Sequence, residues 1–129
     1  MIENLIRNLT AMTLGMMLFF SFVVAPIIFK VLNANNASDF VRKIFPYYYM
    51  VNLSFLSVVV LLLFYSSSIG LEFFITLTIV ILFAFSLFIL MPMINKLKDK
   101  NEEKKFKYSH GLSVIINFIQ IIGLIYLII

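Results

Sequence analysis

The chain has 129 residues, 63% of them hydrophobic and 12% charged, with a formal net charge of +4 and a mean hydropathy of +1.08. Soluble domains hold about 45–50% apolar and about 25% charged residues; the excess here collects in runs that reach the roughly 20 residues a bilayer-spanning helix needs, which excludes an ordinary soluble protein. The absence of cysteine excludes disulfides, thiolate metal sites and a cysteine nucleophile, and leaves the redox compartment open.

The first predicted helix covers residues 5–31. A secretory signal peptide fits it poorly. Its n-region carries Glu3 beside Arg7, its apolar run is too long for an h-region, and no A-x-A-like site follows, so it reads as a retained helix. Ala11 and Gly15 form a small-xxx-small pair that lets a neighbouring helix approach closely. Thr10, Thr13, Met17 and Ser21 recur at helical spacing and are expected to face the bundle. Pro26 is expected to kink the helix near its end, because a proline has no N–H to give the preceding turn.

Residues 33–45 are too polar to cross. As a helix they place Phe40, Val41, Ile44 and Phe45 on one side and Asp39, Arg42 and Lys43 on the other. That pattern predicts a short interfacial helix over residues 37–45 lying on the membrane surface and ended by Pro46. Tyr47, Tyr48 and Tyr49 follow where an aromatic belt is expected. The second span is predicted over residues 47–65, with Asn52, Ser54 and Ser57 as its polar exceptions. A turn at residues 66–70 holds no Lys or Arg. The third span covers residues 71–95, with Pro92 near its end. Residues 96–107 form a charged loop with six lysines against Asp99, Glu102 and Glu103, and the fourth span covers residues 108–129.

These spans predict an all-α, integral membrane four-helix bundle in one domain, residues 1–129. Two helices separate the loops 33–45 and 96–107, so both lie on the same side of the membrane. With Lys30 they hold nine of the ten Lys and Arg residues. The positive-inside rule places both loops in the cytoplasm and both termini outside. The basic residues flank apolar spans, a pattern that suits topology signals and anionic lipid rather than nucleic acid.

An internal echo is visible: Pro26-Ile-Ile-Phe-Lys30 and Pro92-Met-Ile-Asn-Lys96 are offset by 66 residues. Two parallel helical hairpins related by an axis along the membrane normal would produce it. So would the ordinary frequency of Pro and Lys near helix ends.

The chemistry-bearing residues concentrate in residues 106–120. His110, the only histidine, is followed by Ser113, Asn117 and Gln120, and on a helix the four fall within about 80° of one another. They form a candidate polar face, with Asn52 of the second span as a candidate partner. Interhelical hydrogen bonding is the favoured reading for the hydroxyl and the two amides. A structural role is likewise favoured for His110, since zinc needs at least three protein ligands. Metal or haem ligation by His110, with Met12 and Met16 nearby, is the alternative; methionine in an apolar helix more often packs than binds copper. No paired carboxylates, Ser/His/Asp arrangement, phosphate-binding glycine loop or H-E-x-x-H occurs, so an enzyme is not supported and no cofactor is predicted.

The segment His110-Gly-Leu-Ser113 followed by Asn117, with Phe106 and Tyr108 before it, resembles the HGLS-x-x-x-N signature of transmembrane protein 205-like proteins. Lys43-Ile-Phe-Pro-Tyr-Tyr48 resembles that family's K-L-F-P-x-Y segment. Gly15-Met-Met-Leu-Phe-Phe-Ser-Phe22 and Ala25-Pro-Ile-Ile-Phe29 are similar to the first-helix pattern of its bacterial members, and Pro92-Met-Ile-Asn95 to its third-helix end. The resemblance implies a four-helix domain of the bacterial cytoplasmic (inner) membrane with no assigned biochemical role. A more distant similarity to copper-resistance D-type membrane proteins implies a metal or haem alternative. The expected function is action by association, as a homo-oligomer or an accessory subunit of a membrane-protein partner, with the 106–120 face as contact seam. The runner-up is a metal- or haem-handling or transport protein using His110.

Overall fold

A computed structural model of the chain describes all 129 residues. It contains four helices and no strand: α1 (Ile2–Val31), α2 (Ala34–Tyr65), α3 (Leu71–Asp99) and α4 (Glu103–Ile128), each long and apolar enough to cross a membrane. Short connections make successive helices antiparallel. α1 packs on α2 and α4, and α3 packs on α2 and α4, which closes a ring. The fold is an integral membrane four-helix bundle. One end carries the loops with nine of the ten basic residues; the other carries both termini and the 66–70 turn.

Local chemistry sets the helix ends. Asn33 caps α2, its side chain accepting the Asn36 N–H at 2.9 Å. α2 and α3 both end in a Schellman motif. Ser68 N–H bonds the Leu63 carbonyl at 2.9 Å, with Ser67 at φ 57°; Glu102 N–H bonds the Leu97 carbonyl at 3.1 Å, with Asn101 at φ 57°. A serine and an asparagine thus hold the left-handed position usually given to glycine.

Pro26 and Pro92 do not break their helices. Each lies just after a five-residue π-helical turn, Phe20–Val24 and Ser86–Leu90, in which the Ala25 N–H bonds the Phe20 carbonyl and the Met91 N–H bonds the Ser86 carbonyl, five residues back. Widening the turn by one residue draws the preceding carbonyls away from the proline ring, so the helix absorbs the proline inside lipid.

The echo at 66 residues extends through the packing. The buried residues of α1, Thr10, Thr13 and Met17, recur 66 positions later as the buried Thr76, Ile79 and Phe83, and the two π turns carry the same offset. Thr10 and Thr76 even make the same bond, hydroxyl to the carbonyl four residues back, at 2.8 and 2.7 Å. In the second member of each hairpin the offset becomes 68: Tyr48, Asn52 and Leu56 correspond to Ile116, Gln120 and Leu124, all buried. The bundle is two parallel hairpins about a pseudo-twofold axis. The core between them is Met17, Tyr48, Tyr49, Leu56, Val59, Leu63, Ile79, Phe83, Ile121 and Leu124.

Three expectations are corrected. Residues 37–45 do not form a separate interfacial helix, and Pro46 does not end one. They are the first turns of a single 32-residue helix with Pro46 inside it. An interior proline costs about 3 kcal/mol. Here the turn around it is held by packing: Phe45 stacks on Tyr49 with centroids 5.8 Å apart and meets Phe20 edge-on at 5.4 Å. Tyr48 and Tyr49 lie in the core rather than in an aromatic belt, and only Tyr47 is exposed. The charged loop is mostly helix, since α3 runs to Asp99 and α4 begins at Glu103.

The Ala11–Gly15 pair faces outward, and a Cβ at Gly15 would meet nothing within 4 Å. The close helix approach falls instead at Gly123, where a Cβ would come 2.9 Å from Ile79 Cδ1. Gly123→Leu should therefore destabilise the α3–α4 contact by about 1–3 kcal/mol. The lipid-facing Ile122→Leu should stay within about 0.5 kcal/mol of wild type in the same SDS-titration unfolding measurement.

Candidate functional site

The polar residues of α4 do not act as one face. His110 stands at the edge of the window, about 80° round from Gln120, and at the end of the bundle; it is exposed and lies flat against Phe106, centroids 6.0 Å apart at 8°. The Ser113 hydroxyl turns back to the His110 carbonyl at 2.6 Å. Asn117 and Gln120 point inward.

Asn117 joins three helices. Its Oδ1 accepts the Tyr48 O–H from α2 at 2.8 Å, and its Nδ2 donates to Ser21 Oγ on α1, also at 2.8 Å. Tyr48 is held for this by stacking on Phe20, with centroids 4.4 Å apart at 24°. Away from water each of these groups would be costly unpaired, and together they satisfy one another. Gln120, 1% exposed, donates to the Ile79 carbonyl of α3 at 3.2 Å. The two amides thus fasten α4 to its three neighbours.

Asn52 does not meet the α4 amides. Its Nδ2 donates to the Tyr48 carbonyl of its own helix at 2.8 Å, while its Oδ1, also deep in the core, has no partner. His110 is not brought to the methionines either. The Asn117–Ser21 bond sets the register of α4 against α1. At 1.5 Å per residue that register separates His110 from Met16 by about 18 Å and from Met12 by about 24 Å along the bundle. No three His, Asp or Glu side chains come together in a group that could hold a metal.

Sequence reading missed a clamp at the basic end. Arg42 of α2 embraces Asp99 at the end of α3, Nη2–Oδ1 at 2.5 Å and Nη1–Oδ2 at 3.3 Å, and Nη2 also bonds the Asn95 carbonyl at 3.2 Å. Such a bidentate pair is directional as well as attractive. The only sequence signal for it is opposite charge on two segments that topology puts at the same end. At the 68-residue offset the counterpart of Arg42 is His110, which makes no such clamp. The α4–α1 seam is held by Asn117 and Ser21 instead.

Asn117 and Gln120 are thus spent inside the bundle and are not free for a partner. Asn117→Ala should lower the free energy of unfolding, by about 1–2 kcal/mol, because it leaves the Tyr48 and Ser21 hydroxyls unpaired. His110→Ala should change it by less than about 0.5 kcal/mol. Thermal unfolding in detergent, monitored by circular dichroism, measures both.

No solved structure matches the chain. An uncharacterised protein of Aquifex aeolicus (strain VF5) is 38% identical over 117 residues, covering 89% of this chain and 85% of that protein. The match to a family, described as a domain of unknown function (DUF4149), runs over residues 9–103, from the first helix through α3 to the start of α4. The chain belongs to the DUF4149 family.

Proposed function

We propose that this chain works by lateral association within a bacterial cytoplasmic (inner) membrane, as a homo-oligomer or as the accessory subunit of another membrane protein. The observation behind this reading is the outward face of α1. Ala11 and Gly15 lie one turn apart on the surface of the bundle, with open space over Gly15 and the exposed Phe19 and Phe22 beside them. Helices in lipid associate by close backbone approach at small residues flanked by large ones, since lipid tails give no hydrophobic drive. Within the bundle this notch is unused.

The basic end faces the cytoplasm in this reading, with both termini on the far side. Nine basic against four acidic residues give that end a net +5, while Arg7 against Glu3 and Glu72 leave the other at −1. The positive-inside rule reads the Lys and Arg count alone, nine at that end against one at the other. We further read the family as kin to the transmembrane protein 205-like proteins. The support is the order of motifs along the chain, of which His110-Gly-Leu-Ser113 lies beyond the matched residues 9–103.

Cross-linking in native membranes, followed by mass measurement in detergent, tests the association. Wild type should form a defined oligomer or a defined complex, and Gly15→Leu should lose it while remaining folded. An uncomplexed wild type, or a Gly15→Leu variant with unchanged assembly, would overturn the reading. For orientation, the lack of native cysteine allows single-site labelling with a membrane-impermeant maleimide in intact cells. Ser68→Cys should label from outside and Asn35→Cys only after lysis.

A further inference from the structure

We propose that the outer face of α4 at the basic end is a binding site for one anionic phospholipid, with phosphate at Lys104 and Lys107 and acyl chain along Gly111, Leu112 and Ile115. A concavity of about 510 Å³ runs down this face, lined by Lys104, Lys107, Tyr108, Gly111, Leu112 and Ile115. The spacing is that of one helical stripe, so headgroup and chain contacts fall in line along the membrane normal. From Lys107 to Ile115 the stripe drops about 12 Å, from the interface into the hydrocarbon.

Each level of the stripe has the matching chemistry. Lys104 and Lys107 stand one turn apart and are free of carboxylates: the ion pairs of this end are Arg42–Asp99 and Lys105–Glu102. Tyr108 is exposed beside them, an amphipathic ring where headgroup meets chain. A Cβ at Gly111 would meet nothing within 4 Å, so the missing side chain leaves a notch in the helix surface, above an otherwise aliphatic wall. The Lys98 ammonium is engaged elsewhere, 5.6 Å over the Phe106 ring. Diffuse attraction of the whole +5 end to an anionic leaflet would need only charge. Paired free lysines above an aliphatic notch also specify where the chain lies. This face is distinct from the Ala11–Gly15 notch, so the proposal does not depend on the association reading.

The test uses the full chain reconstituted in vesicles of equal phosphatidylglycerol and phosphatidylcholine, released into mild detergent, with retained lipid read by native mass spectrometry. Wild type should retain phosphatidylglycerol in several-fold excess, as a one-to-one adduct. Lys104→Gln with Lys107→Gln should bring the two lipids to parity, and Gly111→Leu should lower retention of both, with unchanged helicity and unfolding midpoint. Lys98→Gln with Lys100→Gln removes the same charge from the same end and should keep the preference. A wild type without preference would overturn the site. So would equal loss in both lysine pairs, which means diffuse charge alone, or cross-linking from Ile115→Cys to a second copy, which means a protein covers the face.

Discussion

Hydrocarbon offers no hydrogen bonds, and that constraint organises this molecule. Every backbone group in four apolar helices must be satisfied inside the chain, yet α1, α2 and α3 each contain a proline. Two are absorbed by π turns placed immediately before them, and the third by aromatic and ionic contacts that hold the helix around it. The same constraint governs the side chains. Thr10, Thr76, Ser54 and Ser113 bond back to their own helices, while Asn117 and Gln120 reach across to others. Back-bonded hydroxyls stabilise no interface, whereas the amides set which helices meet and at what depth.

The two hairpins are alike in backbone and core but differ in how they are fastened. At the basic end α2 is locked to α3 by a charged clamp, and α4 meets α1 through a neutral network set deeper in the bundle. In the α2–α3 seam the counterparts of Ser21 and Asn117 are Leu87 and Tyr49, an apolar and a core aromatic residue. One seam is tied near water by ions, the other within the bundle by amides. Screening and water weaken the first; the second is insulated from both.

The helix count, the antiparallel order and the inward face of α1 were legible in the sequence, because apolar runs and helical spacing report directly on lipid and core. So was the prediction of interhelical bonding for Asn117 and Gln120. The course of residues 33–46 was not. A polar, proline-ended segment looks locally like a surface helix, and only Phe20 and Tyr49 around Phe45, with Asp99 for Arg42, make it continuous with α2. The three tyrosines show the same limit, for belt and core positions share one residue type, and which of them turns inward depends on Phe20 and Asn117 from elsewhere in the chain. His110 looked central because it is rare. Rarity in a sequence carries no information about depth, and an 80° arc is wide enough to leave the bundle at its edge.

The pseudo-twofold relation has a consequence for how such a protein can change. Were the hairpins separate copies pairing with each other, any substitution would appear at both seams at once, and an asymmetric contact such as Asn117 to Ser21 would need two compatible settings. Joined in one chain, with two residues more in the second crossing, the copies are released from that rule. Each seam can be loosened or tightened alone, so one hairpin can serve as a fixed frame while the other is adjusted.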